Sequence, residues 1–187
     1  MKKGLFSIPV HNQDVSIYDV TNEVINQVVK ADNWGLNEAF FGEHITDKHE
    51  KITSSLLMVS ALSKLTKNIR LGTLTTNLNF YKPAIVASLI SMADNLTEGR
   101  LMLGIGSGAN MSDIEAIGFE DKNNHALTLE IEGILQNLLT NNNLIDIQTE
   151  NFKVSTKKFG NEELGLGYFN HLFKNRTNLD ILMPALN

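Results

Sequence analysis

The 187-residue chain contains no cysteine. Disulfides, thiolate metal sites and a cysteine nucleophile are therefore excluded. Basic residues are also in deficit: 16 Lys and Arg stand against 21 Asp and Glu, for a net charge of -5 and a pI near 5.5. That balance lacks the basic footprint of a nucleic-acid-binding protein. No apolar run approaches the ~18 residues of a membrane span. The Lys2-Lys3 pair is followed by only about six apolar-leaning residues before His11, Asn12 and Gln13, too few for a signal-peptide core. A cytoplasmic protein is the expectation. A hydrophobic fraction of 42% with 20% charged residues is what a globular domain carries, and the length suffices for one well-buried domain.

Four apolar strand candidates, residues 5–10, 39–42, 69–75 and 101–105, recur at the roughly 30-residue spacing of a βα unit. Helical periodicity fills the gaps. Val20, Val24 and Val28 share a face after a Ser16/Asp19 capping pair, and Leu57, Ala61 and Leu65 predict the apolar face of a second helix. Pro83 suits a first helical turn ahead of Val86, Leu89, Ile90 and Ala93, and Gly99 suits the stop. Leu127, Ile131, Ile134, Leu135 and Leu138 mark a further helix, and Trp34, after the first one, is expected in the core. Strand and helix alternating in this way predict an α/β fold with a parallel sheet, as either a doubly wound sheet or a (β/α) barrel. Residues 1–187 read as one domain with an irregular insertion at 141–178 and a further strand beginning at Leu179. A parallel sheet of four or five strands leaves open edges, which reads as truncation of a larger fold.

Chemistry gathers at the carboxyl ends of parallel strands. Glu43-His44 closes the second strand, where a histidine serves as general acid or base or stands as an ordinary loop residue. His49, five residues on, raises a metal pair with it, against which the mixed-charge, solvated setting of Asp47-Lys48-His49-Glu50-Lys51 argues. Thr73, Thr75, Thr76 and Asn77 end the third strand, as a binding-face lining or as β-favouring residues reaching solvent. Gly104-Ile105-Gly106-Ser107-Gly108 follows the fourth strand, either to admit a ligand close to the backbone or to make a tight turn. It is not a dinucleotide fingerprint, which belongs after the first strand, and it lacks the lysine of a P-loop.

Taken in order, five segments resemble the luciferase-like flavin-dependent monooxygenases, in particular the limonene-monooxygenase-like branch. They are Glu43-His44, Ile69-Arg70-Leu71-Gly72-Thr73, Tyr81-Lys82-Pro83, Asp94-Asn95-Leu96-Thr97-Glu98-Gly99-Arg100 and Gly104-Ile105-Gly106-Ser107-Gly108. Glu163-Leu164-Gly165-Leu166-Gly167 and Ile181-Leu182-Met183-Pro184-Ala185 agree with that branch's insertion and fifth strand. The resemblance implies the first four to five βα units of a (β/α)8 TIM barrel. It implies a site for reduced FMN, or alternatively F420, and oxidation of a small organic substrate by O2 with flavin supplied by a separate reductase. It also implies a possible homodimer. Residue by residue, His44 matches the catalytic histidine. Glu43, Thr75, Thr76, Gly106, Ser107, Gly108 and Ala109 match cofactor-binding positions, Thr75 and Thr76 in a stretch where the family often has a non-proline cis peptide. No metal is implied. Gly106 and Ser107 stand where luciferase itself has cysteine and arginine, which argues against light emission. A non-catalytic flavin-binding or partner subunit is the reading from a different class.

Overall fold

A computed structural model describes residues 1–184; Ala185, the last residue of the fifth-strand match, lies outside the described residues. Strand β1 (Gly4–Ser7) leads to helix α1 (Ile17–Asn33), which the Ser16 side chain caps by accepting the Asp19 N–H. Its buried stripe is Val20, Val24, Val28 and Ala31, at the four- and three-residue spacings of one helix face. Trp34 does not join the core: at 77% exposure it projects from the helix end, just before Gly35 turns the chain at φ 77°.

Strand β2 (Glu38–Phe41) and helix α2 (Ser55–Leu62) follow. The expected face of α2 is wrong. Leu56, Val59 and Leu62 are buried while Leu57 is 68% exposed, and Leu65 lies beyond the helix. The segment is apolar nearly all round, so periodicity cannot choose a face and packing against the sheet does. Strand β3 (Arg70–Asn77) and helix α3 (Pro83–Leu96) come next, with Pro83 in the first turn and Val86, Ile90 and Ala93 buried. Leu89 is partly exposed, and Ala87 takes its place in the core. Gly99 has φ 78°, as its position at the helix stop requires.

After β4 (Leu101–Gly106), a short helix α4 (Met111–Ala116) precedes α5 (Asn124–Thr140). All five expected apolar positions of α5 are buried. The stretch expected to be irregular contains an antiparallel hairpin, β5 (Asp146–Gln148) with β6 (Lys153–Ser155), before β7 (Asp180–Leu182). Three-residue strands are too short to show period-two alternation above noise.

The main sheet runs β1-β2-β3-β4-β7, every pairing parallel. Strand order follows chain order with no reversal, which separates a barrel wall from a doubly wound sheet. Ala39, Phe41, Leu71, Leu101 and Leu103 meet the helices in the main core. The opposite face carries the in-register row Phe6, Phe40, Gly72, Met102. A side chain at Gly72 would collide with the Phe40 ring at 2.5 Å, so glycine leaves that ring room to lie across the sheet. Phe6 remains 51% exposed, as befits an inner barrel face open on one side. Among the described residues β1 pairs only with β2 and β7 only with β4, so the sheet is open at both edges.

At the amino end of the sheet the Asp94–Arg100 segment is structural. Asp94, fully buried, accepts the Phe173 N–H at 2.9 Å and pairs with Arg176 at 2.7 Å, tying the chain before β7 to α3. Arg100 donates to the carbonyls of Ser63, Ile69 and Thr97 at 2.7, 3.0 and 2.9 Å, locking the α2–β3 turn.

Candidate active site

At the carboxyl ends of β2, β3 and β4, three neighbouring strands deliver the predicted site residues to one rim. Gly42 lets β2 pass beneath Ile8, and Glu43 then turns inward. One Glu43 oxygen accepts from the Ser55 N–H at 2.9 Å and the Ser55 hydroxyl at 2.7 Å; the other accepts the Asn77 N–H at 2.8 Å. Burial pushes this carboxyl above the ordinary carboxylate range, against the downward pull of those hydrogen bonds. Glu43 thus joins the end of β2 to α2 and to the end of β3.

His44 lies on the rim with a quarter of its side chain exposed. Its Nδ1–H donates to Asp113 Oδ2 at 3.0 Å, and its Nε2 faces Glu50 Oε2 at 3.2 Å. Asp113 is fully buried at the start of α4. Burial works to raise its pKa, but hydrogen bonds from Thr46 and His44 prevail and hold it below the usual carboxylate range. One Asp113 oxygen takes both the Thr46 N–H, at 2.8 Å, and the Thr46 hydroxyl. An ionised Asp113 is an acceptor only, which fixes the proton on Nδ1 and orients the ring.

Strand β3 changes register between Thr73 and Thr76, and the Leu74–Thr75 peptide is cis. Thr75 is half-buried on the rim, and its hydroxyl donates to Asn77 Oδ1 at 3.2 Å. Thr76 points inward instead, fully buried, with its hydroxyl 3.0 Å from that of Ser55. In the loop after β4, Gly106, Ser107 and Gly108 are half-buried and Ala109 is exposed. The glycines answer packing needs. A Cβ at Gly104 would sit 2.0 Å from the Thr73 carbonyl oxygen, and one at Gly106 would sit 2.2 Å from the Thr75 hydroxyl. Gly108, at φ 78°, gives its N–H to Asn77 Oδ1 at 3.1 Å. So Asn77 ties the β3 and β4 ends together as Glu43 ties β2 to β3.

Asp113, Glu50, Ser55 and Asn79 were not singled out by motif, whereas Asn77 was, as a strand-end lining residue. Asn79 donates to the Ser107 carbonyl at 3.0 Å and to Asn124 at 2.9 Å, holding the glycine loop against α5. The one local signal for the missed residues was polarity inside apolar company, at Asn79 just after β3. Asp113 lies 69 residues from His44, and no spacing rule joins them.

The rim suits one end of a flavin. The apolar face of Phe6, exposed, with half-buried Phe40 and Leu74 leads up to half-buried polar groups at His44, Thr75 and Ser107, matching an aromatic ring system with a polar edge. These rim residues include no lysine or arginine, so the backbone N–H groups of the glycine loop are what they offer to a phosphate.

Comparison with known proteins bears on the family and the fold. The family model for luciferase-like monooxygenases matches residues 1–159. A 4-hydroxyprotoasukamycin monooxygenase of Streptomyces nodosus subsp. asukaensis is 32% identical over 123 residues, covering 66% of this chain and 33% of that protein. The oxygenase component of a flavin-dependent trigonelline monooxygenase from Acinetobacter baylyi is 30% identical, covering 59% of this chain and 32% of that one. Among solved structures, the oxygenating constituent of Pseudomonas putida 3,6-diketocamphane monooxygenase, in complex with FMN, superposes with a TM-score of 0.79 at 25% identity. That superposition covers 83% of this chain and 43% of that one. F420-dependent enzymes also match in sequence and in fold. The matches span about a third of these curated relatives' length.

Proposed function

The chain belongs to the luciferase-like monooxygenase family, and from that premise we propose that it contributes the first five strands of an active site in which reduced FMN and O2 oxidise a small organic substrate. The observation that carries this reading is the oriented histidine: His44, held through Nδ1 by a buried, ionised Asp113, on the same rim as Thr75 and the Gly106–Ala109 loop. Reduced FMN, when bound, supplies the electrons that activate O2. The residues of this chain shape one side of its seat. Thr75, Gly106, Ser107, Gly108 and Ala109 line the ring's seat, and the apolar inner face keeps water from it. Glu43 and Thr76 act from behind that lining: Glu43 holds Ser55 and Asn77, and Thr76 holds Ser55. His44 holds or moves a proton at Nε2. A separate flavin reductase is the partner that such an oxygenase needs, consistent with a relative described as an oxygenase component.

F420 is the alternative cofactor, favoured by the F420-dependent relatives. The test is to give the whole natural gene product either reduced FMN or reduced F420, and to measure binding and O2 uptake beyond the cofactor's spontaneous oxidation. Binding of reduced FMN with substrate-dependent O2 uptake is expected. Binding of F420 alone, with hydride transfer and no O2 uptake, would replace the monooxygenase reading with a dehydrogenase or reductase.

A further inference from the structure

The second carboxylate on His44 is used by none of the above. Glu50 reaches Nε2 from a loop that is itself pinned on two sides. Its own N–H and that of His49 donate to Asp47 Oδ1, at 3.2 and 2.7 Å. On the other side residue 50 makes an antiparallel bridge with Val10, the His11 N–H donates to the His49 carbonyl at 3.0 Å, and Lys51 donates to the Gln13 carbonyl at 2.8 Å. The loop after β1 therefore clasps the loop that carries Glu50. A carboxylate held this way is not a freely swinging surface group.

A proton count then decides what the contact is. Asp113 takes the Nδ1–H, so a neutral ring presents only a lone pair at Nε2. A lone pair facing a carboxylate oxygen at 3.2 Å is two acceptors in repulsion, and the contact is stable only with a proton in it. That proton is either on the ring, as imidazolium against carboxylate, or on Glu50, as carboxylic acid against imidazole. Both descriptions hold the same proton. Two further carboxylates feel the charge of this ring, Glu43 at the end of β2 and Asp47 in the same loop.

We propose that Glu50 is a positioning residue that stores a proton at the Nε2 of His44, so that Asp113, His44 and Glu50 form a line from the buried core to solvent along which the site is reloaded. When Nε2 gives its proton to an oxygen of the bound reactants, the N–H bond breaks, an O–H bond forms, and the ring is left neutral with Nδ1–H still on Asp113. Glu50, a quarter exposed, returns a proton from water. The inference rests on His44 being the acid/base group.

Side-chain 15N NMR of the histidines at neutral pH reads the proton directly and needs no flavin. Wild-type protein is expected to show Nδ1 of His44 protonated and Nε2 shifted towards the protonated position. Glu50→Gln, whose amide donates to Nε2, is expected to give the plain Nδ1–H tautomer, and Glu50→Asp to recover part of the wild-type shift. An Nε2 with no shift towards the protonated position in wild-type protein, or identical shifts in wild type and Glu50→Gln, would overturn the proposal. In the whole gene product Glu50→Gln is expected to lower turnover about tenfold or more while the affinity for reduced FMN stays within about twofold. Turnover unchanged by Glu50→Gln would overturn the proposal as well. The expected NMR pattern in a protein that binds no flavin would sink the functional reading and leave the proton store standing.

Discussion

At the residue scale the site is a rim of half-buried groups held by buried side chains, Glu43, Thr76 and Asp113, whose hydrogen bonds leave little slack. His44→Ala in the whole gene product is expected to reduce turnover by about 10²–10⁴-fold with flavin affinity little changed, measured by steady-state O2 uptake beside an anaerobic binding titration. Equal loss of both would make His44 a binding residue only. Asp113 predicts a pH effect. Its pKa is lower folded than unfolded, so it stabilises the fold above the ordinary carboxylate range, and that stability is lost as pH falls through the folded value. Urea melts from pH 6 to pH 3 are therefore expected to fall less steeply for Asp113→Asn than for wild type. Glu43→Gln must place an amide group either against the Ser55 donors or against the Asn77 N–H, at a cost of about 1–3 kcal/mol for the donor left unpaired. His44 and Glu43 stand out in the sequence because they break an apolar run at a strand end. Asp113 does not, because its partner is remote along the chain and its own surroundings read as loop.

At the element scale two kinds of tie hold the sheet together. One lies among the strand ends at the rim, through Glu43 and Asn77. The other lies at the opposite end, where Asp94 grips Phe173 and Arg176 and so sets β7 beside β4. Removing one partner of a buried ion pair strands the other, which typically costs about 3–5 kcal/mol. Asp94→Asn is expected to lower the melting temperature and to speed hydrogen exchange at Ile181 and Leu182 more than at Leu71. Uniform acceleration across the sheet would show that β7 and β4 open as one unit. Helix α5 was legible because its apolar stripe is narrow, with Leu127, Ile131, Ile134, Leu135 and Leu138 all buried. Helix α2 was legible as a helix but not as a face, since Leu57 and Leu56 are equally apolar and only the sheet distinguishes them. The hairpin of Asp146–Gln148 and Lys153–Ser155 escaped because its strands are shorter than one alternation cycle needs.

At the scale of the whole molecule the chain forms a parallel five-stranded wall with helices on one face and an open apolar surface on the other. The FMN-bound relative is more than twice as long as the part this wall covers. With both edges open and Phe6 half-exposed, the 187-residue polypeptide assayed by itself is expected to turn over far more slowly than a whole family member when supplied with reduced FMN and O2. Substrate oxidation at comparable rates would show that five strands suffice. The sequence by itself determined the alternation of strand and helix, the parallel sheet, the family, and the strand ends where polar residues interrupt apolar runs. Those are local properties, set by periodicity, caps and composition within a few residues of each position. Periodicity alone left a doubly wound sheet and a barrel both open; the pairing order, with β1 to β4 and β7 in chain order, bears out the barrel wall that the family resemblance implied. Tertiary structure alone set Asp113 and Glu50 on the two nitrogens of His44, turned Thr76 inward and left Trp34 in solvent. Each of those depends on which distant segment lies alongside, and one residue's rotation about a strand or helix axis is invisible until the neighbouring element is in place.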